Sequence, residues 1–502
     1  MGEFVLTTPA MDTTASNLEV ELKLELDPAD RPRLLRAAPL QAVKGERRRL
    51  VSTYFDTPDG AVRRAGFALR VRRQGARCTQ TVKAEAGPAA GLWSRAEWER
   101  AVSGDEPVLD GDSGPLLQAI GASSAERLSP AFVSEIERAT RQVLVAGADV
   151  EVSLDSGAIH AGDARERVCE VELELRGGPP RALFDLARAL DGTVPLRLGV
   201  RSKAERGYRL IAGVAPGAVK AEPVRLDPDM TAAAAFGVIA HACLRHFRLN
   251  ETVLLGGYEA EALHQARVAL RRLRSALSLF DPLFEGDEDA ALLDAQLRRF
   301  IAVLGEARNL DVLAARVRPH AGSVLDNARA LAREHARAEL LSARSRVLML
   351  DLAEWLAVGR WREDPADADT ANRPIGAFAA ATLDSARKRL GRSGRGLEKL
   401  SGRRLHKVRI KAKQARYAAE FFGPLWTAPK ARRRLTAWLE RIEALQDDLG
   451  DLNDLAIGGQ ILAQLGVEAR LQGADDAQLA ALREKAHRAL RSLMKCRPFW
   501  RD

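Results

Sequence analysis

Short segments in which apolar and charged residues alternate characterise the N-terminal part of the chain. The clearest is LEVELKLEL, from Leu18 to Leu26, in which every second residue is leucine or valine and the residues between them are charged. A repeat of two is that of a β-strand, whose successive side chains point to opposite faces. The pattern predicts a strand with one apolar, buried face and one charged, mostly acidic face.

Two explanations of the acidic face are open. An antiparallel sheet often exposes one side to water, and charges on that side keep it soluble. However, a second acidic segment, CEVELEL at Cys169 to Leu175, has the same pattern far along the chain. Because glutamate is depleted in strands and like charges on one face repel, two such faces favour a built site.

The pattern of the sequence changes near Pro228. Up to about Leu210, alternating runs are broken by turn signals such as DTPDG and LDSG, which indicates a mainly antiparallel β region. Beyond Pro228, long segments rich in alanine, leucine and arginine have helical periodicity. The predicted organisation is a flexible leader at 1–17, a β domain at 18–212, a linker at 213–228, and a helical domain at 229–502 with an internal repeat at about 229–358 and 377–502.

The repeat is clearest in two helical segments, LHQARVALRRLRSALSLF and LHKVRIKAKQARYAAEFF. Each combines an apolar stripe with a basic stripe at spacings of three, four and three, so each basic stripe lies along one helix face. A charge run is usually a solvated face, but these cations lie beside the core stripe with few acidic neighbours. We therefore expect an anion-binding surface formed by His264, Arg267, Arg271, Arg274, His406, Arg409, Lys413 and Arg416.

In several segments of the β region, the charged residues stand at every second position and therefore on one face of a strand. Acidic and basic segments of this kind alternate along the chain. An eight-stranded barrel has an interior wide enough for side chains and one small ligand. Charges of both signs would be poorly solvated in a dry interior, so the interior is expected to be wet and occupied. Carboxylates suit a divalent cation and basic groups suit phosphate oxygens, which together favour a metal-bound polyphosphate and phosphoryl transfer to water.

The composition of the chain adds weaker constraints. The 502 residues carry a formal net charge of +9 and a sequence pI of about 9.6, which indicates an anionic partner without identifying it. The four cysteines form no CxxC pair, which argues against a disulfide framework and a structural zinc site. No apolar run approaches the roughly 18 residues of a membrane span, and the start lacks the pattern of a signal peptide. We expect a cytoplasmic protein without a membrane partner.

These segments resemble two known families. EVELKLEL matches the ExExK signature of the CYTH domain, the triphosphate tunnel metalloenzymes, and the resemblance continues through TYFDTPDGAVRRAGFALRVRR, TVKA, SLDSG, CEVELEL and RSKAERGY. The helical part resembles a CHAD domain, a conserved-histidine helical domain, through LHQARVALRRLRSALSLF, LGEARNLDVL and LHKVRIKAKQARYAAEFF. The expected fold class is α+β with two domains: an eight-stranded antiparallel β tunnel, then an all-α duplicated helical bundle. Such fusions are mostly bacterial.

The resemblance implies that basic side chains of the tunnel hold a linear triphosphate and that glutamates hold Mg²⁺ or Mn²⁺. Carried over by motif, the catalytic residues are Glu19, Glu21, Lys23 and Lys203. The metal-side residues are Glu19, Glu21, Glu170 and Glu172, with Asp155 and Glu174 orienting the cations or the metal ligands. The substrate-binding residues are Lys23, Arg70, Arg72, Lys83, Lys203 and either Arg138 or Arg141, which both fit the arginine of their strand. Glu97 and Glu99 are equally compatible with the tunnel and with the outer surface, and Tyr54 and Asp56 are expected to shape the end of their strand.

Several functions are compatible with these features. Fusion to a CHAD domain resembles the inorganic triphosphatases, which favours hydrolysis of tripolyphosphate to diphosphate and phosphate. The alternatives are an adenylate cyclase or a thiamine triphosphatase in the same tunnel, and a non-catalytic scaffold that grips polyphosphate. CHAD domains are associated with inorganic polyphosphate, which implies that the basic helices bind long chains or tether the protein to polyphosphate granules. The low aromatic content, 5%, argues against base stacking and therefore against single-stranded nucleic acid.

Overall fold

The computed structural model describes residues 18–85, 90–110, 114–317, 322–467, 471 and 475–501. The predicted leader, 1–17, lies outside the described residues. The chain divides between Ala215 and Pro216 into two compact units.

The first unit is built mainly of strands. Within its described residues the strands are β1 (Leu18–Glu25), β2 (Glu46–Asp56), β3 (Phe67–Gln74), β4 (Arg77–Ala84), β5 (Leu92–Val102), β6 (Ser129–Val145), β7 (Ala148–Ala161), β8 (Ala164–Gly177) and β9 (Arg197–Leu198). The helices are α1 (Arg31–Leu34), α2 (Ala38–Gln41), α3 (Ala61–Arg64), α4 (Leu116–Ile120), α5 (Ala122–Ala125), α6 (Arg181–Asp191) and α7 (Lys203–Ile211).

Eight of these strands close into an antiparallel barrel. The strand order is β5-β4-β3-β2-β6-β7-β8-β1-β9, and β5 also pairs with β1, which closes the sheet. The short strand β9 pairs only at the end of β1. The predicted eight-stranded antiparallel barrel is therefore confirmed.

The alternation of the sequence places the charged residues inside this barrel. In β1, Glu21 lies opposite Glu174 of β8, and Lys23 lies opposite Glu172. The intervening Leu22 and Leu24 are fully buried on the other side of the wall, and helix α6 packs against β1, β6 and β8 there. The main apolar packing of β1 is thus outside the barrel, which leaves the interior free for polar groups.

One end of the interior is closed by apolar side chains and helix α7. Leu50, Tyr54 and Ala68 of the barrel pack in one cluster with Ala204 and Tyr208 of α7. The helix approaches the wall so closely at position 207, a glycine, that a Cβ there would lie 2.2 Å from the ring of Phe132. Any larger side chain at this position would push α7 away from the barrel end.

Asp56 fixes this closed end through its carboxylate. Its oxygens accept hydrogen bonds from the backbone N–H groups of Val62 (2.8 Å) and Arg63 (3.1 Å) in α3. They also accept the hydroxyl of Tyr208 at 2.9 Å. One carboxylate therefore joins the end of β2, the short helix α3 and helix α7, in agreement with its predicted role at the strand end.

The second unit is helical. Its described helices are α8 (Ala232–Gly256), α9 (Ala260–Leu279), α10 (Glu288–Arg316), α11 (Gly322–Leu341), α12 (Ala343–Val358), α13 (Arg360–Glu363), α14 (Ala368–Ala371), α15 (Ile375–Ser393), α16 (Gly402–Phe422), α17 (Pro429–Gln464) and α18 (Asp476–Lys495). Helix α9 packs on α16, and α10 packs on α17. The internal repeat at about 229–358 and 377–502 stays a prediction. An all-helical second domain is confirmed.

The segment before α8 is held on the helical unit. The backbone of Val219 donates to Asn250 Oδ1 (3.0 Å), and its carbonyl accepts from Asn250 Nδ2 (2.9 Å) and bonds His246 Nε2 (2.9 Å). Val224 and Leu226 are buried. Much of the predicted linker 213–228 therefore has fixed partners. Among the described helices, none is both long enough and apolar enough to pass through a membrane.

Candidate functional site

A cavity of about 920 Å³ occupies the barrel, and charged side chains of both signs line it. Thirteen of the lining residues are sequence-predicted or were left open between the tunnel and the surface: Glu19, Glu21, Lys23, Arg70, Arg72, Lys83, Glu97, Glu99, Arg138, Arg141, Glu172, Glu174 and Lys203. Asp155 and Glu170 lie directly behind this lining, where Lys203 contacts both. The structure thus brings all the predicted tunnel residues to one place.

The most tightly connected part of the lining is an ion-pair cluster of three cations and three carboxylates, Lys23, Arg138, Lys203, Asp155, Glu170 and Glu172. Lys203 Nζ lies 2.7 Å from Asp155 Oδ2 and 2.9 Å from Glu172 Oε1. Arg138 donates to Asp155 through Nε (2.7 Å) and Nη2 (2.6 Å). Lys23 contacts Glu170 Oε1 at 3.1 Å and also bonds Glu172.

Mutual neutralisation keeps this ion-pair cluster charged. Burial disfavours the carboxylate of Glu172, but Lys203, Lys23 and Arg138 hold its pKa well below the usual range. Burial likewise opposes the charge of Lys23, but Glu170 and Glu172 raise its pKa above the ordinary value. Both kinds of group therefore remain ionised at neutral pH, although the residues are almost fully buried.

The donor set of this cluster fits a divalent cation. Asp155, Glu170 and Glu172 each offer an oxygen, and the three oxygens lie within 4.8 Å of one another. Hard oxygen ligands of this kind suit Mg²⁺ or Mn²⁺. The ammonium groups of Lys23 and Lys203 contact the same oxygens, so a bound metal ion would compete with them.

A second group of ion pairs lies on the side of the cavity formed by β1, β4 and β5. Lys83 Nζ is 2.7 Å from Glu19 Oε2 and 2.7 Å from Glu97 Oε2. Arg95 donates to Glu21 Oε1 at 2.8 Å and lies over the ring of Trp93, 5.2 Å from its centroid. The two glutamates of the ExExK segment are thus oriented by basic residues of neighbouring strands.

Excess negative charge accumulates around Glu174. Burial raises the pKa of Glu174 to about 7, and the carboxylates of Glu19, Glu151 and Glu21 add to the rise against the opposing effect of Arg176. A cation placed among these carboxylates would relieve their repulsion. This part of the cavity therefore also fits a divalent ion.

Excess positive charge accumulates around Arg72. Burial lowers the pKa of Arg72 to about 10, and the guanidinium groups of Arg70 and Arg138 lower it further. Its Nε lies 3.4 Å from Ser52 Oγ, and it has no carboxylate partner among the described residues. An anion bound here would supply the missing counter-charge, as expected of a phosphate-binding residue.

The structure also shows where the residues lie whose positions the sequence left open. Glu97 and Glu99 both face the cavity, where Glu99 accepts the hydroxyl of Thr81 at 2.9 Å. Arg138 belongs to the ion-pair cluster, whereas Arg141 lines the cavity and donates to the carbonyl of Leu35 at 3.1 Å. Tyr54 borders the cavity besides packing at its closed end.

Arg95 is one of several charged lining residues outside the predicted site set, which also include Lys44, Glu46, Arg48, Glu85, Glu151 and Arg176. It shares the parity of Glu97 and Glu99 in LWSRAEWER, so an inward orientation of those glutamates would have placed it in the cavity as well. The pattern alone does not distinguish the inner from the outer face, because both can be charged in this barrel.

In the helical unit the two basic stripes face each other. Arg271 affects the pKa of Lys413, and Arg409 affects that of Arg267, so the stripes of α9 and α16 share one region. With a residue of α10, they form what we call the helical cationic cluster: His264, Arg267, Arg271, Arg308, Arg409 and Lys413.

The helical cationic cluster lacks sufficient counter-charge. Burial lowers the pKa of Lys413 to about 6, with further lowering by Arg271, Arg409 and Arg267 against a small opposing effect of Asp454. Burial and neighbouring arginines lower the pKa of Arg267 to about 9 and that of His264 to about 4. His264 is therefore neutral at pH 7.

Unsatisfied donors point to the same conclusion. The Nε atoms of Arg267, Arg271 and Arg409 are buried without a hydrogen-bond acceptor among the described residues. Arg267 Nη1 donates to the carbonyl of Ile301 (2.9 Å) and lies where a Cβ at position 305, a glycine, would come within 2.5 Å. Buried donors of this kind are normally paired, so the cluster is suited to an anion.

The remaining residues of the predicted stripes are placed differently. Arg274 Nε is 2.7 Å from Asp294 Oδ1, and Arg416 Nε is 2.7 Å from Glu420 Oε1. His406 is exposed. The C-terminal residue of each stripe thus already has a carboxylate partner.

The fold and the two charged regions define the class of protein. It combines a closed antiparallel barrel, whose interior contains ion pairs, with a helical domain. A family model of the CYTH domain matches residues 17–208, and a family model of the CHAD domain matches residues 238–463. The chain belongs to the proteins in which a CYTH domain is fused to a CHAD domain.

Curated relatives agree with this assignment. An inorganic triphosphatase of Haemophilus influenzae is 29% identical over 200 residues, which are 38% of this chain and 54% of that protein. The match thus spans only about half the length of that relative. An uncharacterized protein of Mycobacterium tuberculosis is 26% identical over 507 residues, with 91% of this chain and 92% of that protein covered.

Two solved structures are similar to parts of the chain. The crystal structure of the CHAD domain from the plant Ricinus communis is 28% identical and covers 57% of this chain and 93% of that chain, with a TM-score of 0.44. A putative adenylyl cyclase from Hippeastrum, described as having a dominant triphosphatase activity, is 17% identical and covers 39% of this chain and 98% of that chain, with a TM-score of 0.31.

Proposed function

We propose that the barrel hydrolyses inorganic triphosphate to diphosphate and phosphate with the help of Mg²⁺ or Mn²⁺. The observation that carries this proposal is the separation of charge within one cavity. Carboxylates crowd around Glu174, whereas Arg72 is buried beside Arg70 and Arg138 and has no carboxylate partner among the described residues. A pure anion binder gains nothing from inward carboxylates, whereas a metal-bound triphosphate needs both groups.

The basic and acidic side chains of the cavity would have different roles. Arg70, Arg72, Lys83 and Arg138 would hold the phosphate oxygens in line, with Lys23 and Lys203 closing the buried end. The carboxylates Asp155, Glu170 and Glu172, with Glu19, Glu21 and Glu174, would hold the divalent ion. When bound, such an ion screens the phosphate charge and activates water.

Hydrolysis then follows from positioning. Water attacks the terminal phosphorus, the bond from this phosphorus to the bridging oxygen breaks, and diphosphate leaves with the electron pair. The water proton passes to a carboxylate of the cavity, which acts as the general base. The fixed cations stabilise the charge that develops on the bridging oxygen.

A substrate panel tests this proposal. We expect phosphate release from tripolyphosphate in the presence of Mg²⁺ or Mn²⁺, loss of the activity with a chelator, and slower release from ATP and thiamine triphosphate. Cyclic AMP formed from ATP would instead favour the adenylate cyclase alternative. No phosphate release from any substrate, combined with tight polyphosphate binding, would favour the non-catalytic scaffold.

We also propose that the helical cationic cluster binds inorganic polyphosphate. The supporting observation is the set of buried, unpaired arginine nitrogens that surround Lys413. A chain of closely spaced negative charges would satisfy several of these donors together. Competition against duplex DNA tests the choice of anion, because DNA should displace polyphosphate much less readily than polyphosphate displaces DNA.

This binding is expected to depend on pH. Free Lys413 has a pKa of about 6 because it is buried near three arginines, and a bound phosphate would raise it. Polyphosphate binding should therefore take up a proton, and affinity should fall by up to about tenfold per pH unit above pH 6 until the pKa of the bound state is reached. Titration calorimetry in buffers of different ionisation enthalpy measures this uptake.

The lowered pKa of Lys413 also determines whether the stability of the free protein rises or falls with pH. Between the folded pKa of about 6 and the ordinary lysine pKa of 10.5, unfolded Lys413 binds a proton that folded Lys413 lacks. Stability of the free protein should thus rise with pH across that window.

A Lys413→Arg variant keeps the charge and should bind polyphosphate without the proton uptake. Unchanged proton uptake in that variant would contradict the assignment to Lys413.

A further inference from the structure

The helical unit contains a second concave basic surface, outside the helical cationic cluster. A groove of about 700 Å³ lies between α15 and the chain around the end of α18. Its charged lining consists of Asp384, Arg387, Lys388, Arg392, Arg395 and Arg501. Five of these six side chains are cationic, which makes the groove strongly basic.

Two of the lining residues fix the walls of the groove. Arg387 Nη2 donates to the carbonyls of Met494 (2.6 Å) and Cys496 (3.1 Å), which ties the end of α18 to α15. Asp384 accepts from Trp500 Nε1 (2.9 Å) and Arg501 Nη2 (2.5 Å). The single carboxylate of the lining is thus already engaged, and the C-terminal wall is held in place before any ligand binds.

Glycines allow α15 and α18 to approach closely beside the groove. A Cβ at position 391 would lie 3.2 Å from Met494 Sδ, and one at position 394 would lie 2.2 Å from Leu490 Cδ2. Lys388 and Arg392 lie four residues apart on one face of α15, about 6 Å along the axis, and Arg395 follows in the turn after the helix ends at Ser393. None of these three cations has an ion-pair partner among the described residues.

We propose that this groove is a second binding site for inorganic polyphosphate, an inference that rests on the proposed polyphosphate binding by the helical unit. Three unpaired cations in a row suit a ligand with closely spaced negative charges. The concave shape suits a single flexible chain. The described residues that line the groove include no aromatic side chain to stack on bases, and stacking is a main source of affinity for single-stranded nucleic acid.

The position of the groove makes the two sites cooperate on one ligand. Helix α15 packs directly against α16, which carries Arg409 and Lys413 of the helical cationic cluster. A long chain held at one site is presented to the other at a high effective concentration. Short chains would occupy the two sites independently, whereas long chains would bridge them and bind more tightly.

The experiment compares the full-length protein with a groove variant, Lys388→Gln/Arg392→Gln/Arg395→Gln. Calorimetry with a short polyphosphate, in the presence of a chelator so that the barrel does not hydrolyse it, is expected to give one site more per chain in the native protein than in the variant. With a long polyphosphate, the variant is expected to bind about 10²-fold more weakly, because the bridging contact is lost. Far-UV circular dichroism checks that the variant is folded.

A charge-matched control is Arg299→Gln/Arg344→Gln/Lys430→Gln, which removes three exposed cations from α10, α12 and α17. Its binding should stay within about twofold of the native protein, since exposed charges at a distance are largely screened. Equal losses in the groove variant and this control would overturn the groove site, as would the same number of short-chain sites in the native protein and in the groove variant. If the groove variant loses DNA binding but keeps all polyphosphate binding, the groove belongs to nucleic acid. A native protein that binds no polyphosphate would instead refute the proposed function of the helical unit.

Discussion

Glu172→Gln is expected to lower phosphate release from tripolyphosphate by about 10²–10³-fold. Glu172 contacts Lys23, Arg138 and Lys203 and contributes to the three-carboxylate set. The amide keeps the size of the side chain but removes a charged oxygen ligand and weakens the orientation of all three cations. Initial rates at several metal concentrations measure the effect, which should persist at saturating metal because the cations remain misplaced.

The matched control for this variant is Glu137→Gln on β6. Glu137 has 73% of its side chain exposed, so the same chemical change there should leave the rate within about twofold. A folded Glu172→Gln protein with nearly native activity would show that the cavity is not the catalytic site.

Arg271→Glu/Lys413→Glu is expected to raise the melting temperature of the free protein and to weaken polyphosphate binding by about 10³-fold. The helical cationic cluster is under-compensated, so two carboxylates beside Arg267 and Arg409 would convert repulsion into attraction. The same carboxylates would repel phosphate and remove two charge-assisted hydrogen bonds, each worth about 1.5–3 kcal/mol. Thermal unfolding and calorimetric titration measure the two effects.

The opposite signs of these effects distinguish an anion site from a purely structural cluster. A loss of both stability and binding would mean that the cations are needed for packing, and would contradict a preformed anion site. The control Arg299→Glu/Arg344→Glu makes the same charge change at two exposed positions and should alter neither property strongly.

Much of the barrel could be predicted because its signals are local. The period of two in β1 and β8 fixes both the strands and the face that carries Glu21 and Glu172. In β5 the same period exists, but it did not indicate which face is inside, because an ion-paired interior and a wet exterior can both be charged. Glu97 therefore stayed ambiguous, and Arg95 was missed with it.

In the helical unit the sequence identified the two basic stripes but not their relation. That the stripes of α9 and α16 face each other depends on tertiary packing between segments more than a hundred residues apart. The carboxylate partner of Arg274, Asp294, lies outside the two segments, whereas Glu420 stands four residues after Arg416 on the same face of α16 and follows from helical spacing. Helical periodicity gives the face of one helix and says nothing of what covers it.

In the cavity, the carboxylates and ammonium groups that the proposed ligands would contact are paired with one another. A divalent cation that takes the carboxylates of Asp155 and Glu170 releases the ammonium groups of Lys23 and Lys203, and a phosphate that takes those ammonium groups releases the carboxylates. The two ligands therefore share one set of counter-ions, and each should strengthen the binding of the other by the same factor.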